Sequence, residues 1–401
     1  MKIKGRRVIF GDPKPVDVLI FDEVNSQYVR QVINPKYSVL VFNMRPEDIF
    51  IGPRVIFNFL RNLGDIHFKE AWHSERGKLI GLLIQLKITY LLACFEKVQP
   101  KAVVTMIDNR TDFHWLSKHC RRYPFIAIQN GSRLSYASGD TKEYYLQHFF
   151  SFGEYEKDQF PRIGYKAENF YPVGSLIASL HFEVPEKISK KYDILIISAW
   201  RGNIGFQQDV KDTMRSMRIM DELLAKYLGE RNYKAGIVLR STREGDHWYI
   251  PEIGSNEEEY YKSIYTGRAE IIDTDFKKRN IFPLMQQSGF IIACLTSTVV
   301  EGFGIGKKAL FCNFTGTGIY HEDFDSAIVT TDSDYDVFSK KLDSIINMPQ
   351  KEYDRQHKAL EQYYMSFPAS TSTEQAIADK IDEIILASQN TLMNNNIHLP
   401  A

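Results

Sequence analysis

Residues 290–313 contain two apolar runs on either side of a short polar turn, and this pattern restricts the fold more than any other part of the chain. The first run ends at Leu295 and has the length and unbroken apolar character of a strand covered on both faces. Three hydroxyl residues, 296–298, then begin a short helix that ends among closely spaced glycines, and the second apolar run follows. A buried strand, a helix and another buried strand form the repeating unit of parallel α/β sheets. We therefore predict a parallel sheet around this stretch.

The start of that short helix is a candidate binding site for a nucleotide phosphate. A helix that begins directly after a parallel strand presents unpaired N–H groups and the positive end of its dipole, which suits an anion. Ser297 and Thr298 add hydroxyl groups there. A second interpretation is a capping box, in which Thr298 caps the helix and Glu301, three residues later, turns back on it. The two interpretations are compatible, because one turn can cap a helix and bind phosphate.

Apolar runs alternate with helical segments twice along the chain. The predicted strands outside the 290–313 stretch are residues 16–21, 38–43, 102–107, 125–128, 192–198, 235–240 and 269–272. The predicted helices are residues 53–62, 69–97, 208–228, 256–265 and 281–287, with three more that begin at Asp334, Gln350 and Thr373. Such alternation predicts two doubly wound α/β domains.

A chain of 401 residues is too long for one ordinary core, which also favours two domains. The polar residues 182–191 include a proline and form the best boundary. We predict Rossmann-like domains over residues 1–182 and 191–370, each with a mostly parallel sheet, that face each other across a cleft. Residues 371–389 are predicted to form a helix that returns to the first domain. Residues 390–401 have the composition of a linker to further domains.

The composition argues against several classes of protein. Lys plus Arg and Asp plus Glu number 50 each, and this balance does not favour nucleic acid as the main partner. The four cysteines show neither a disulfide framework nor zinc spacing, which favours a reducing, cytoplasmic compartment. The longest apolar run, residues 79–95, contains Gln85 and Lys87 and is predicted as a buried helix rather than a membrane span. Basic pairs such as Lys307-Lys308 leave peripheral contact with the inner face of a membrane as an open alternative to a solvated surface.

Three predicted strands of the second half, 192–198, 235–240 and 290–295, each end in a polar segment. In a doubly wound sheet such segments line one crevice. Arginines supply fixed positive charge for a phosphate, and hydroxyls at a helix start supply hydrogen bonds. Each arginine alone is more often a solvated or structural residue, so the prediction depends on their coincidence. The candidate nucleotide-binding residues are Arg201, Arg240, Ser241, Arg243, Ser297 and Thr298.

In the first half, the predicted strand 102–107 is followed by two carboxylates, Asp108 and Asp112. They lie where ligands of open α/β sheets bind, beyond the carboxyl end of a strand. The alternative role for Asp108 is an Asx turn or a helix cap. After the next strand come Gln129 and Asn130, whose amides either face the same cleft or only shape an Asn-Gly turn.

Both halves contain short motifs, which are Ile107-Asp-Asn109 with a nearby Phe113, Ile128-Gln-Asn-Gly131, Leu239-Arg-Ser241, and residues 297–301 continuing through 307–313. Together with the two facing domains they resemble GT-B glycosyltransferases. More narrowly, they resemble bacterial surface-carbohydrate proteins related to retaining β-Kdo transferases, which use CMP-Kdo. Leu239-Arg-Ser241 stands where several CMP-sugar transferases have a His-Pro pair.

The resemblance implies a cytoplasmic glycosyltransferase of lipopolysaccharide or capsule biosynthesis. Its partners would be a nucleotide sugar and a glycan or lipid-linked acceptor, with no cofactor beyond the CMP-sugar donor. The second domain would bind the nucleotide sugar, with Glu301 on the ribose, a role that competes with the capping box. The first domain would bind the acceptor and supply the catalytic carboxylate, since transfer passes through an oxocarbenium-like state.

Asp108 is the first choice for that carboxylate and Asp112 the second, with Glu154, Glu156 and Asp158 in reserve. His114 either protonates a phosphate or, on a helix beside Trp115, is a packing residue. The candidate acceptor-binding or sugar-binding residues are Asn109, His114, Gln129 and Asn130.

Two Asp-x-Asp triplets, Asp273-Thr-Asp275 and Asp332-Ser-Asp334, are of the kind used by metal-dependent transferases. The second is more simply a helix N-cap with acidic first-turn residues. The first falls in the half where GT-B enzymes work without metal, so no metal site is predicted. Rival functions on the same double fold are a nucleotide-sugar epimerase and a polyol-phosphate transferase. A rival of another kind is a non-catalytic glycan-binding module.

Overall fold

The computed structural model describes residues 2–3, 6–44, 47–65, 78–131, 144–162, 164–182, 189–200, 208–240, 256–274, 279–294, 296–316 and 328–396. The strands, in chain order, are β1 (Lys2–Ile3), β2 (Arg6–Phe10), β3 (Val18–Phe21), β4 (Val39–Phe42), β5 (Glu47–Ile51), β6 (Ala102–Thr105), β7 (Phe125–Ile128), β8 (Tyr145–Ser151), β9 (Lys166–Pro172), β10 (Tyr192–Ile197), β11 (Ala235–Val238), β12 (Ala269–Ile272), β13 (Ser288–Cys294), β14 (Lys308–Cys312) and β15 (Val329–Thr330). The helices are Ser26–Val32, Pro53–Asn62, Lys78–Val98, Thr111–His119, Tyr155–Arg162, Leu176–His181, Gln208–Glu230, Glu257–Tyr265, Ile281–Gln286, Ser297–Gly304, Tyr335–Asn347, Gln350–Tyr364 and Thr373–Asn396, with a 3-10 turn at Leu63–Asp65.

Two parallel sheets of six strands each organise the molecule, one in each half. The first has the order β4-β3-β6-β7-β8-β9, and the second has the order β12-β11-β10-β13-β14-β15. All neighbouring strands in both sheets are parallel. The strand order reverses between β3 and β6 in the first sheet and between β10 and β13 in the second, which are the places where ligands of open α/β sheets bind. The predicted α/β class with two Rossmann-like sheets is confirmed.

The central strands are buried on both faces, which explains why they are unbroken apolar runs. Every residue of β3, β6 and β7 is buried, and so is every residue of β11 and β14. Helices on each face of the sheet remove both rows of side chains from water, so an alternating polar pattern would be destabilising.

The helix Thr373–Asn396 packs against the first half of the chain. Thr373 Oγ1 donates to the carbonyl of Val173 at 2.7 Å. Asp382 pairs with Lys36 Nζ, also at 2.7 Å. The last described helix therefore contacts segments next to β9 and β4 of the first six-stranded sheet.

The structure differs from the sequence analysis in two places. The helix continues to Asn396, so the linker predicted for residues 390–401 is wrong as far as that residue. No glycine or proline interrupts residues 373–396, and asparagine alone does not end a helix. Finally, β1, β2 and β5 form a separate three-stranded sheet that the sequence pattern did not reveal, since β5 begins with Glu47-Asp48.

The predicted buried helix at residues 79–95 lies within the helix Lys78–Val98, where Leu91, Cys94 and Phe95 are fully buried. In the part of the chain that the structure describes, no helix is long and apolar enough to cross a membrane. The predicted N-cap role of the second Asp-x-Asp triplet is confirmed, because Asp334 Oδ1 accepts from the backbone N–H groups of Asp336 and Val337. Asp275 of the first triplet lies outside the described residues.

Candidate functional site

The turn after β7 and the helix that follows β13 meet between the two halves. A Cβ atom placed on Gly131 would lie 3.2 Å from Ser297 Oγ, so this turn closely approaches the first residue of the helix Ser297–Gly304. Both segments follow the carboxyl ends of parallel strands. The contact therefore brings together the two sheet edges at which the sequence predicts chemistry and phosphate binding.

Asp108 joins the ends of two strands in the first half. It is fully buried just beyond β6. Its Oδ2 accepts from Tyr144 OH at 3.1 Å, and its Oδ1 accepts from the backbone N–H of Asn130 at 3.4 Å. Since Asn130 lies in the turn after β7, the carboxylate makes long-range bonds in addition to any local turn. The carboxylate of Asp108 is therefore bonded to the residue that directly precedes Gly131.

Glu156 is a second buried carboxyl group beside this turn. Its Oε1 accepts from Gln129 Nε2 at 2.5 Å, while its buried Oε2 has no hydrogen-bond partner among the described residues. Burial raises the pKa of Glu156 to about 7 despite the bond from Gln129, and the charge of Asp108 adds to the rise. The group can therefore hold or release a proton near neutral pH.

Gln129 fixes the shape of the turn. Its Nε2 donates also to the carbonyl of Gly131 at 3.0 Å, and its Oε1 accepts from the backbone N–H of Phe152 at 2.6 Å. The side chain is buried, so these bonds are shielded from water. Gln129 thus stabilises the turn after β7, and Asn130 is half-buried beside it.

Asp112 lies in an ion-pair network. It bonds Arg110 Nη2 at 2.6 Å and Lys87 Nζ at 3.1 Å, and Arg110 also pairs with Asp22 beyond β3. Burial alone would raise the pKa of Asp112, but the two cations outweigh burial and lower it. A carboxylate with two cationic partners is a weak base, so this geometry is that of a structural ion pair.

The remaining first-half candidates lie in different environments. Glu154 is about half exposed and pairs with Lys157 within its own turn at 3.1 Å. Asn109 is exposed. His114 is fully buried, with its Nδ1 3.3 Å from the carbonyl of Tyr145 and its ring 3.9 Å from that of Tyr144. Its position fits the packing interpretation, although it touches the tyrosine that bonds Asp108.

Glu301 reaches out of its own helix to the other half of the molecule. Its Oε1 accepts from Ser175 Oγ at 2.5 Å, and the N-cap of its helix is Thr296, whose side chain makes no capping bond. The capping box of Thr298 with Glu301 is therefore wrong. Burial raises the pKa of Glu301 to about 7, while the bond from Ser175 and the charge of Arg279 oppose the rise. Ser297 and Thr298 are both half-buried at the helix start.

Arg240 bonds within the second half. Its Nη1 donates to the carbonyl of Trp200 at 3.0 Å, and its backbone N–H donates to Glu257 at 2.8 Å. The guanidinium thus joins the segments that follow β10 and β11. The other predicted members of this group, Arg201, Ser241 and Arg243, lie outside the described residues, as does Leu295.

Two residues at the interface were not predicted from the sequence, Arg279 and Asn25. Arg279 Nη2 donates to Asn25 Oδ1 at 3.1 Å, and Arg279 Nε donates to Tyr28 OH at 3.2 Å. Both residues have left-handed backbones, with φ of 50° at Arg279 and 61° at Asn25. The sequence feature that could have indicated Arg279 is its position after the strand β12, since the other candidate residues also follow strands.

Within the described residues, no group of His, Cys, Asp and Glu side chains has the arrangement of a metal site. The carboxyl groups near the cleft are bonded to Tyr144, Gln129 and Ser175. The arrangement therefore places Asp108 and Glu156 beside the turn of the first half, and Glu301 on the helix of the second half.

Comparisons with known proteins support the fold. No protein-family model and no curated protein matches the sequence. Among solved structures, the wall teichoic acid polymerase TagF is similar over 93% of this chain and 90% of that chain, with 14% identity and a TM-score of 0.52. A Listeria monocytogenes protein assigned as a UDP-N-acetylglucosamine 2-epimerase is similar over 93% and 96%, with 12% identity and a TM-score of 0.52. At these identities the likeness shows a GT-B-like fold, which several activities share.

Proposed function

We propose that this protein is a glycosyltransferase that uses a nucleotide sugar. The observation that carries the proposal is the close approach of Gly131 to Ser297, because it brings the turn that bonds Asp108 and Glu156 next to a helix start of the other half. A helix start can bind the phosphate of a leaving nucleotide, and a carboxylate opposite it can act at the anomeric carbon. The GT-B-like fold supports the same assignment.

The nucleotide is proposed to bind the second half. Ser297 and Thr298 would donate hydrogen bonds to phosphate, and Glu301 would bind the ribose. Since Glu301 now accepts a bond from Ser175, ribose binding would exchange one hydroxyl donor for another. The proposed donor is CMP-Kdo, and this choice rests on the motif resemblance described above.

Asp108 is the proposed catalytic carboxylate. In one route it attacks the anomeric carbon while the nucleotide leaves with the bonding electrons, and the acceptor hydroxyl then displaces it and loses its proton to a base. In the other route Asp108 itself removes the proton of the acceptor hydroxyl as the nucleotide leaves. Glu156, buried with a pKa raised to about 7, is the reserve proton acceptor. The proposed acceptor is a glycan or lipid-linked oligosaccharide of lipopolysaccharide or capsule.

Isothermal titration with CMP, UDP, GDP and CDP tests the donor class. We expect CMP to bind best, with Ser297→Ala weakening it by roughly tenfold through loss of a hydrogen bond to an anion. Ser344→Ala is the matched control, since Ser344 is exposed on another helix and bonds only its own helix carbonyl at Lys341. Binding of none of the four nucleotides would overturn the enzyme assignment. A clear preference for UDP would overturn CMP-Kdo.

Product mass separates transfer from the other reactions that the fold supports. A glycosyltransferase joins the sugar to the acceptor and releases the nucleotide. A polyol-phosphate transferase would add a polyol phosphate to the acceptor mass, and an epimerase would return a nucleotide sugar of unchanged mass. Either of the latter products would replace the present proposal, while glycan binding without nucleotide affinity would favour a non-catalytic module.

A further inference from the structure

Arg279 lies between the two halves, after β12 and before the helix Ile281–Gln286. We propose that Arg279 binds the anionic group of the ligand in the cleft, which is the phosphate of a nucleotide or the carboxylate of a sugar acid. This inference rests on the proposed function for the ligand class. It pairs the positive charge of Arg279 with the phosphate or the carboxylate of that ligand.

The guanidinium of Arg279 bonds only neutral groups. Its Nη2 and Nε donate to the amide oxygen of Asn25 and the phenol oxygen of Tyr28. Among the described residues no carboxylate forms an ion pair with it, and its Nη1 makes no hydrogen bond. Arginine stays protonated in proteins, so this half-buried positive charge forms no ion pair with any described carboxylate.

The carboxyl group that interacts electrostatically with Arg279 is that of Glu301, which lies beyond ion-pairing distance. Glu301 takes its hydrogen bond from Ser175, and its burial favours the protonated form. The nearby His181 ring is likewise disfavoured as a cation, by burial first and by Arg279 second, which lowers its pKa. Arg279 is therefore a permanent positive charge beside two groups whose charged forms burial disfavours.

The backbone supports a functional rather than a merely structural role. Arg279 has a left-handed φ angle of 50°, a backbone conformation that arginine rarely adopts. A residue that only tied the halves together would gain more from a carboxylate partner than from two neutral oxygens. Strained residues of this kind concentrate where a group must be presented to a ligand.

Guanidinium geometry fits the proposed ligand. The free edge at Nη1, together with Nη2, can form two parallel bonds to a phosphate or a carboxylate. Asn25 follows β3 and Arg279 follows β12, so the charge lies at the ligand-binding edges of both sheets. An anion bound there would contact the halves on either side of the cleft.

The test compares charged and neutral ligands in Arg279→Gln, with Arg355→Gln as the matched control. Arg355 is an exposed residue of the helix Gln350–Tyr364 that pairs with Glu352. Titrations use CMP against cytidine, Kdo against its methyl ester, and inorganic pyrophosphate. We expect Arg279→Gln to weaken one charged ligand by roughly 10- to 100-fold and its neutral counterpart by less than about twofold.

The pattern of loss identifies the group. Loss for CMP alone assigns the nucleotide phosphate, and loss for Kdo alone assigns the sugar carboxylate. Equal loss for a charged ligand and its neutral counterpart, or no loss for any ligand, would overturn the inference and show a structural role. If the wild type binds pyrophosphate through Arg279 but no nucleotide, the inference stands and the proposed function fails. If it binds no anion, both fail.

Arg279→Lys tests whether the weaker binding of Arg279→Gln comes from the lost charge or from unfolding. It keeps the charge but loses the two-bond geometry, so we expect an intermediate affinity for the charged ligand. Thermal unfolding of each variant without ligand shows whether the fold is retained. An Arg279→Lys protein that is folded and binds every ligand as weakly as Arg279→Gln would contradict a role for charge.

Discussion

Ser175 Oγ donates a hydrogen bond to Glu301 Oε1 at 2.5 Å, although the two residues belong to different halves of the molecule. The same hydroxyl accepts from the backbone N–H of Ala178 and so caps the helix Leu176–His181. The side chain of Ser175 therefore donates a hydrogen bond to a buried carboxyl group in one half and accepts one from the first turn of a helix in the other.

Ser175→Ala should destabilise the protein by about 1–3 kcal/mol, since it removes a helix cap and leaves a buried carboxyl without its donor. Urea unfolding measures the loss. Ser344→Ala, at an exposed site, should change the free energy of unfolding by less than about 0.5 kcal/mol. Equal stability of Ser175→Ala and the wild type would mean that this bond contributes nothing to holding the halves together.

Glu301 should make stability decrease as pH rises. Burial raises its pKa from 4.5 to about 7 in the folded protein, so the folded state keeps a proton that the unfolded state has already lost. Its contribution is fully present below about pH 4.5 and is lost as pH rises through about 7. Glu301→Gln cannot titrate and should gain on the wild type by up to about 3 kcal/mol between pH 5 and pH 8.

Unfolding curves at several pH values measure this difference. Glu383→Gln, at an exposed position paired with Lys380, controls for the simple loss of one negative charge. A constant gap between Glu301→Gln and the wild type across this pH range would show that the carboxyl titrates normally.

Gly131→Ala should impair binding in the cleft. The new methyl group would lie 3.2 Å from Ser297 Oγ and would push the turn away from the helix start by a few tenths of an ångström. Since misplacement by a full ångström can cost about a hundredfold in rate, this smaller shift should reduce transfer by roughly three- to tenfold. Thermal unfolding should be nearly unaffected.

Gly64→Ala is the matched control for that experiment, because a Cβ atom at Gly64 would meet nothing within 4 Å. Full transfer activity in Gly131→Ala would show that the contact between the halves has no part in the reaction.

Asp108→Asn and Asp112→Asn should have different effects. Loss of a catalytic base or nucleophile at Asp108 should reduce transfer by roughly 100- to 10,000-fold. Asp112 instead pairs with Arg110 and Lys87, so its replacement should cost about 3 kcal/mol of stability. Turnover and urea unfolding, measured on both variants, separate the two roles. Normal turnover in folded Asp108→Asn would remove that residue from the mechanism.

The sequence predicted the sheets well because strands buried on both faces must be apolar throughout. The strands Phe125–Ile128 and Ala269–Ile272 were predicted to the residue. The edge strand Lys166–Pro172 was missed, since its side chains are half or fully exposed and its sequence is correspondingly polar. Burial, rather than intrinsic strand preference, therefore produced the apolar runs from which the strands were predicted.

The site was less predictable because its bonds join distant parts of the chain. Ser175 and Glu301 are separated by 126 residues, and nothing local to either residue indicates the other. The capping-box pattern at Thr298 was a plausible local alternative that this long-range bond displaced. Asp108 was found because it directly follows a buried strand. The partners that distinguish it from Asp112 became visible only in the structure.

The helix Thr373–Asn396 also determines when the first half can be completed during synthesis. Thr373 bonds Val173 across 200 residues, and Asp382 bonds Lys36 across 346. The ribosome must therefore produce the whole second sheet before the first receives this cover. Until then the surface around Asn34 and Lys36 stays available to chaperones or to wrong partners. A protein truncated before Thr373 would retain that nascent-chain state permanently.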